Sequence, residues 1–592
     1  MLRSLIVLCS CALAVTMFGG SVVALDDDTA PAAAPWTVDV VIDAPGAFGW
    51  QLSRDGRYGL WLSRTVNHKK DRFDTQLMLL DSKTGESRPL TVGRMQVSSP
   101  TFTADGSAIL YLSRDEIPEG SKKPGEDGGA QLWRLDLAGG APRPITAIPF
   151  GIRSFDILDD GTVVYSSRER RTDRERELKR RKDRTIVVED PVAFAEPTGA
   201  IFTLDLETGK STRLISPDEG PIEAAEVSPD GLYAVTSHSK SPAFQAEGKI
   251  PPVWFLRDLT RGTKQELFAD RKTKPYGVTW TWDSSRALTT WPHSSRDGED
   301  LAAVVFIKSL DPKTGAIVDF PLDWDRGLAR GLGTLTEDGF ITHLADGVKP
   351  RLARYTLRTD TLDLTRGVER AWIDGGDRGG WHSFTKARDA NTCLVSTGDA
   401  STPAKVHLAT LEGSTLTPGK KVWDEGCAAQ PKARTEIVQW YGALDEPVEG
   451  IVYYPHDYEE GKKYPIIAMT HGGPHGADYD RFGENWAYAP NLFAQRGAFI
   501  LMTNYHGSSD YGLAFGESIR GKYYELEVED ILSGIQMLVN QGKADPKQVG
   551  LIGWSNGAIL SGFYSFVITL TSDDLSPFRG PFLDMFFLDL YS

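Results

Sequence analysis

Short runs of alternating apolar and polar residues fill the first two thirds of the chain. Polar turns built on Asp-Gly or a close substitute break them at near-regular intervals. The pattern reads WQLSRDGRYGLWLSR from Trp50, PTFTADGSAILYLSR from Pro100, FDILDDGTVVYSSR from Phe155 and AEVSPDGLYAVTSHS from Ala225. Degraded copies follow as VTWTWDSSRALTTWP from Val278, GTLTEDGFITHLA from Gly333 and HSFTKARDANTCLVST from His382. Alternation of period two puts one face of a strand against a core. Asp-Gly tolerates the positive φ of a tight turn, and the Val, Leu, Tyr, Trp and Thr of the flanks suit a pleated surface. Each copy is followed by a further strand and turn, as in AQLWRLDLAGGAPRPIT, so the unit is a four-stranded antiparallel sheet of about 50 residues, the period of a propeller blade. The markers Asp55, Asp105, Asp160, Asp230, Asp283, Asp338 and Asp389 count seven blades. An array of β-sandwiches is the alternative. The interval from Asp160 to Asp230 is longer and holds RERRTDRERELKRRKDRTIVVED, residues 168–190. Its mixed charges predict a solvated helical or irregular insertion, or a rim element that contacts substrate or a second subunit.

Past Lys420 the period changes. GIVYYP alternates, whereas YPIIAMTHGGP and AFILMTNY are continuous apolar runs, the mark of strands buried on both faces. NWAYAPNLFAQRG predicts a helix with a Gly stop. LEVEDILSGIQMLVNQG predicts an amphipathic helix, with Val528, Ile531, Leu532, Ile535, Leu538 and Val539 at spacings of three and four. Alternation of strand and helix predicts a doubly wound α/β sheet. DPKQVGLIGWSNGAIL then runs from a short strand through Gly-x-Ser-x-Gly into a helix start. This is the setting of a nucleophile elbow, with Ser555 as the candidate nucleophile. The bland alternative for Ser555 is a helix N-cap without chemistry. The organisation expected is a leader over 1–24, a seven-bladed propeller over 36–430 and an α/β-hydrolase domain over 431–592.

At 592 residues the chain exceeds what one core supports. Its net charge of −16 argues against nucleic acid as a partner. MLRS followed by LIVLCSCALAVTMF and VVA resembles a cleaved export signal, which implies a periplasmic or secreted protein, with retention by an uncleaved signal as the lesser alternative. No later segment is long and apolar enough to span a bilayer. Two of the four cysteines lie in that leader; Cys393 and Cys427 remain, paired or as separate thiols. No metal-ligand spacing occurs, and neither a metal nor another cofactor is expected.

Taken together, HGGPHG at 471–476, NYHGSSDYG at 504–512, EVEDI at 527–531 and GWSNGA at 553–558 resemble the prolyl oligopeptidase family of serine peptidases, in its acylaminoacyl-peptidase and dipeptidyl-peptidase-like branches. The resemblance runs to about Leu560. It implies a propeller that screens substrates by size ahead of an α/β-hydrolase. It also implies an acyl-enzyme on Ser555, an oxyanion hole from the backbone N–H groups of Gly473 and Asn556, and short peptides as substrates. His471 stands where other branches carry a tyrosine, His506 where arginine is usual and Ala558 where glycine is usual. In such a hydrolase Asp and then His follow the serine. Here the last histidine is His506, and neither triad partner is assigned among Asp573, Asp574, Asp584 and Asp589. The expectation is a chain inactive as it stands, its tail the product of a frameshift or premature stop, with an open apolar sheet edge. His471, His475 and His506 are read as loop histidines. A non-catalytic peptide- or partner-binding propeller and an esterase are the alternatives, and a homo-oligomer is left open.

Overall fold

The computed structural model describes residues 34–570, except 92–95, 122, 125–127, 186–193, 242–249, 270–273, 297–302, 330, 358–366, 374–380, 426, 428 and 486, with the backbone alone for 381 and 564–570. The leader expected at 1–24 and the tail from 571 fall outside the described residues.

Seven four-stranded antiparallel sheets follow one another over 46–89, 97–144, 154–215, 222–267, 277–319, 334–372 and 381–424. Strand order within each is sequential. The Asp-Gly markers work as expected. Asp55, Asp105 and Asp230 accept hydrogen bonds at 2.6 Å from the Ser or Thr hydroxyl two residues earlier, and Asp283 does so at 2.7 Å. The glycine after the Asp takes positive φ at Gly56, Gly106, Gly161 and Gly231. In the degraded copy Ser284 adopts φ 58° without a glycine.

Each blade buries one face against the next, and the ring closes. Leu60, Leu77 and Tyr111 join the first two blades. Trp61, Leu80, Leu394 and Val406 join the seventh to the first, helped by Asp389 N donating to Arg54 O at 2.7 Å. A contact between blades that are not neighbours must cross the central channel. Asp159 of the third blade makes two of them, accepting from Arg54 of the first at 2.6 Å and from Arg388 of the seventh at 2.5 and 3.1 Å. Arg388 continues to Trp282 O of the fifth blade at 3.1 Å. All four residues sit at turns between first and second strands, so this clasp narrows one mouth of the channel.

The opposite mouth carries the hydrolase. There, just past the second strands, Ser294 Oγ and Ser295 N donate to Glu517 at 2.8 and 2.7 Å. Val348 N donates to Glu449 at 3.0 Å and Ala400 N to Asp480 at 2.9 Å.

The hydrolase sheet has five strands in the order Thr435–Tyr441, Pro447–Tyr453, Phe499–Asn504, Tyr464–Thr470, Ala544–Gly553. The first two junctions are antiparallel and the last two parallel. The helix Leu526–Asn540 covers one face through Val528, Ile531, Ile535 and Leu538. The other face packs on Ala494 and Ala498, and on Val348 and Ala400 of the propeller. Both faces are therefore apolar, which explains the continuous runs in the sequence. Among the described residues the strand Ala544–Gly553 is paired on one side only.

One expected helix is corrected. The run Asn485–Gly497 forms helix only over Pro490–Ala494. Pro490 lacks the N–H needed inside a helix and holds Ala489 at φ −130°, ψ 67°, outside helical space. The cysteines are both buried free thiols, Cys393 between the last two blades and Cys427 beside Trp36. The segment ahead of the first blade packs Trp36 and Val41 against Phe482, Ala489 and Leu492 of the hydrolase. Trp36 N donates to Gln495 at 2.6 Å. The insertion forms a helix over Asp173–Arg181 with a Thr172–Glu175 capping box and no buried residue.

Candidate active site

Parallel pairing brings the two candidate loops together. Thr470 is in register with Gly553, so HGGP and WSNG leave adjacent strands at their carboxyl ends, where ligands of open α/β sheets bind. Trp554 N donates to Thr470 O at 3.3 Å, and Thr470 Oγ1 donates to Gly557 O at 3.0 Å.

Ser555 is exposed and has φ 51°, left-handed for a residue with a side chain, between the strand ending at Gly553 and the helix Asn556–Leu570. Such backbone costs about 1–3 kcal/mol and persists where the surroundings over-determine it. The glycines do that here. A Cβ on Gly553 would lie 2.1 Å from Gly557 O, and one on Gly557 would lie 2.3 Å from Thr470 O. A Cβ on Gly472 would lie 2.9 Å from Trp554 O and 3.1 Å from Ser555 Cβ. The motif is thus a packing device that lets three backbones meet behind one hydroxyl.

The two expected oxyanion donors flank this corner. Gly473 lies on the turn at φ 136°, open only to glycine without strain. Asn556 is the first helical residue, where N–H groups lack intrahelical acceptors. The turn hydrogen bonds engage Gly557, Ala558 and Ile559 but not Asn556. The placement suits a developing negative charge on a carbonyl oxygen.

None of the three loop histidines hydrogen-bonds Ser555. His471 is buried, stacked on Tyr505 at 4.3 Å and held by Ser508 Oγ at 3.0 Å; burial lowers its pKa. His475 Nδ1 lies 2.6 Å from Gly507 O, which fixes that nitrogen as the donor. His506 is fully buried, with Nδ1 2.7 Å from Asp530 and Nε2 3.4 Å from Glu446. All three brace the floor of the loops.

Two buried carboxylates went unseen in the sequence reading, although both lie in the EVEDI motif. Asp530 accepts from Ala443 N at 2.8 Å and from His506 N at 2.6 Å. Glu527 is fully buried, and neither of its carboxylate oxygens has a well-formed hydrogen bond. Burial pushes its carboxyl up to about 7, with a smaller push from Asp530. A carboxyl raised in this way favours the folded state while protonated. Its contribution is complete below the ordinary glutamate range and is lost as pH rises from about 4.5 to 7. Glu527→Gln is therefore expected to match the parent in denaturant midpoint at pH 5. At pH 8 it should be more stable by roughly 2–3 kcal/mol. Equal differences at both pH values would remove Glu527 as the titrating group.

Residues 485–566, which span the nucleophile corner, match the prolyl oligopeptidase family. An uncharacterised peptidase of Bacillus subtilis, YuxL, is 23% identical over 87% of this chain and 77% of its own length. A dipeptidyl-peptidase 5 of Porphyromonas endodontalis is 23% identical over 86% and 72%. Among solved structures, an acylaminoacyl peptidase of Pyrococcus horikoshii superposes with a TM-score of 0.66 at 17% identity, covering 92% of this chain and 78% of that one. A puromycin-hydrolyzing peptidase of Mycobacterium tuberculosis gives 0.61 at 18% over the same shares. The family match at the nucleophile corner, with relatives aligned along both the propeller and the hydrolase, makes the chain similar to the prolyl oligopeptidase family of serine peptidases over most of its length.

Proposed function

We propose that the chain carries the nucleophile half of a peptidase that acts on short peptides. Ser555 Oγ would attack the scissile carbonyl carbon, and the N–H groups of Gly473 and Asn556 would hold the oxygen as it gains charge. The C–N bond of that tetrahedral intermediate would then break, the amine leaving with the proton given up by Ser555 and the acyl group staying on Ser555 for water to release. The observation that carries this reading is Ser555 at φ 51°, exposed beside the Gly472–Gly473 turn. The propeller sits over the loops of the sheet and its far mouth is narrowed by the Arg54–Asp159–Arg388 clasp, which favours short, flexible substrates over folded ones.

A serine needs a base to take its proton. No histidine follows Ser555 within these 592 residues, and none of the three loop histidines His471, His475 and His506 hydrogen-bonds it. The chain by itself is therefore expected to be silent toward a fluorophosphonate probe. A chimera continued through the Asp- and His-bearing strands of a relative should label, and should lose the label on Ser555→Ala. Label that survives Ser555→Ala would overturn Ser555 as nucleophile. Label on the unextended chain would overturn the missing base. Aminoacyl-naphthylamides against p-nitrophenyl esters, tested on the chimera, separate a peptidase from an esterase. A chimera that stays unlabelled would support a second reading, a propeller that binds peptides without cleaving them.

A further inference from the structure

The insertion in the third blade builds a recess of 1140 Å³ against the first three blades. Its cationic lining is Arg114, Arg153, Arg168, Arg171, Lys179 and Arg184, against the two acids Glu175 and Asp183. Both acids are spent locally. Glu175 pairs with Arg168 and accepts from Thr172 N at 2.8 Å. Asp183 accepts from Thr185 N at 2.9 Å and Oγ1 at 2.6 Å. Arg114 and Arg153, which come from two different blades, are exposed and have no ion pair among the described residues. This excess of positive charge stands out in a chain of net charge −16.

The packing of the insertion does not account for it. The helix Asp173–Arg181 buries no residue, so the core does not need it. Lys179, Arg180 and Arg181 in its last turn suit the helix dipole, but that says nothing about Arg114 and Arg153. Position supplies the rest. In the fifth, sixth and seventh blades the residues just past the second strand touch the hydrolase: Ser294, Val348 and Ala400. In the second and third blades the same position holds Arg114, after the strand Ala108–Ser113, and Arg168 and Arg171, at the end of the strand Val163–Arg168. Strands run alike in every blade, so the recess opens on the face of the ring that carries Ser555. Phe73 and Phe150 add apolar wall, with the Arg168 guanidinium 5.6 Å from the Phe150 ring.

The geometry points to an exosite for an acidic peptide segment, whose carboxylates pair with Arg114, Arg153 and their neighbours while the rest of the peptide extends toward the hydrolase. Guanidinium groups take carboxylates in two-pronged pairs, and several in one concave wall focus the field on an extended anion. Naming this peptide a substrate rests on the peptidase reading; its binding does not.

The test therefore uses the whole chain with Ser555→Ala and measures binding by calorimetry, with no turnover. Acetylated decapeptides alternating Glu and Ser are compared with Gln and Ser. The Glu peptide is expected to bind at least tenfold more tightly at low salt and to weaken steeply by 0.3 M salt. Arg114→Glu with Arg153→Glu should abolish the preference and leave the thermal midpoint in place. Lys313→Glu with Lys463→Glu, outside the recess, changes the net charge equally and should keep it. Equal binding of the two peptides, or equal loss in both double variants, would overturn the exosite. A working chimera with no charge preference would do so too, while leaving the peptidase reading intact.

Discussion

Gly557→Ala is expected to destabilise the hydrolase by about 3–4 kcal/mol, at the upper end for overpacking. The added methyl would lie 2.3 Å from Thr470 O, 2.6 Å from His471 O and 2.9 Å from Thr470 C. These are backbone atoms, so no rotamer change relieves the collision. Nor can the strand withdraw. Thr470 O is held by Tyr488 Oη at 2.7 Å and Trp554 N at 3.3 Å, and its strand is paired on both sides. The position has no positive φ, so the cost is collision and not backbone strain. Gly550→Ala on the neighbouring strand is the control. Its methyl would meet Ile467 Cγ1 at 3.5 Å, ordinary contact, and should change stability by no more than about 0.5 kcal/mol. Guanidinium midpoints of the two variants check this. If Gly557→Ala melts with Gly550→Ala, the three-backbone packing behind Ser555 is not what holds the corner.

That packing also explains what the sequence could and could not say. Gly-x-Ser-x-Gly is legible because its chemistry is local: a strand, a strained serine and a helix within a few residues. The seven hairpins are legible for the same reason, since each Asp acts on residues two positions away. Pro490 carried its signal too, and the helix expected over 485–497 fails where proline forbids it. What stayed hidden depends on residues far apart. Nothing around Asp159 marks it as the carboxylate that two arginines, 105 and 229 positions away, reach across the channel. Arg114 and Arg153 look like ordinary surface arginines until the blades place them in one wall. In EVEDI the two buried acids sit on one helix, yet one is paired on every side and the other is an orphan. Only the two buried segments opposite, one carrying Ala443 and the other His506, separate them.

Removing the paired one should be the most damaging change of a polar side chain in the hydrolase. Asp530 is fully buried and accepts three hydrogen bonds, from Ala443 N, His506 N and His506 Nδ1, at 2.8, 2.6 and 2.7 Å. Asp530→Ala leaves two backbone donors and a ring N–H without acceptors in a buried site, a loss of about 3–5 kcal/mol. The effect should depend on pH. Burial opposes a charge on His506, but the bonds to Asp530 and Glu446 outweigh it and raise its pKa above the usual histidine value. A histidine raised in this way contributes fully below its unfolded pKa of about 6.5. That contribution is lost as pH climbs through the higher folded value. The destabilisation by Asp530→Ala should therefore be larger at pH 6 than at pH 9, and Asp530→Asn, which keeps the shape but not the charge, should flatten the same slope. Parent and Asn variant with identical slopes would rule out the ion pair as its source. The consequence reaches the candidate active site through the loop that follows His506. Gly507 O accepts from His475, and Ser508 holds His471, both on the turn that presents Gly473. In an Asp530→Asn chimera with a working triad, loosening that loop should lower kcat more than it raises KM, because a donor aimed at the oxyanion acts on the transition state and not on the bound peptide.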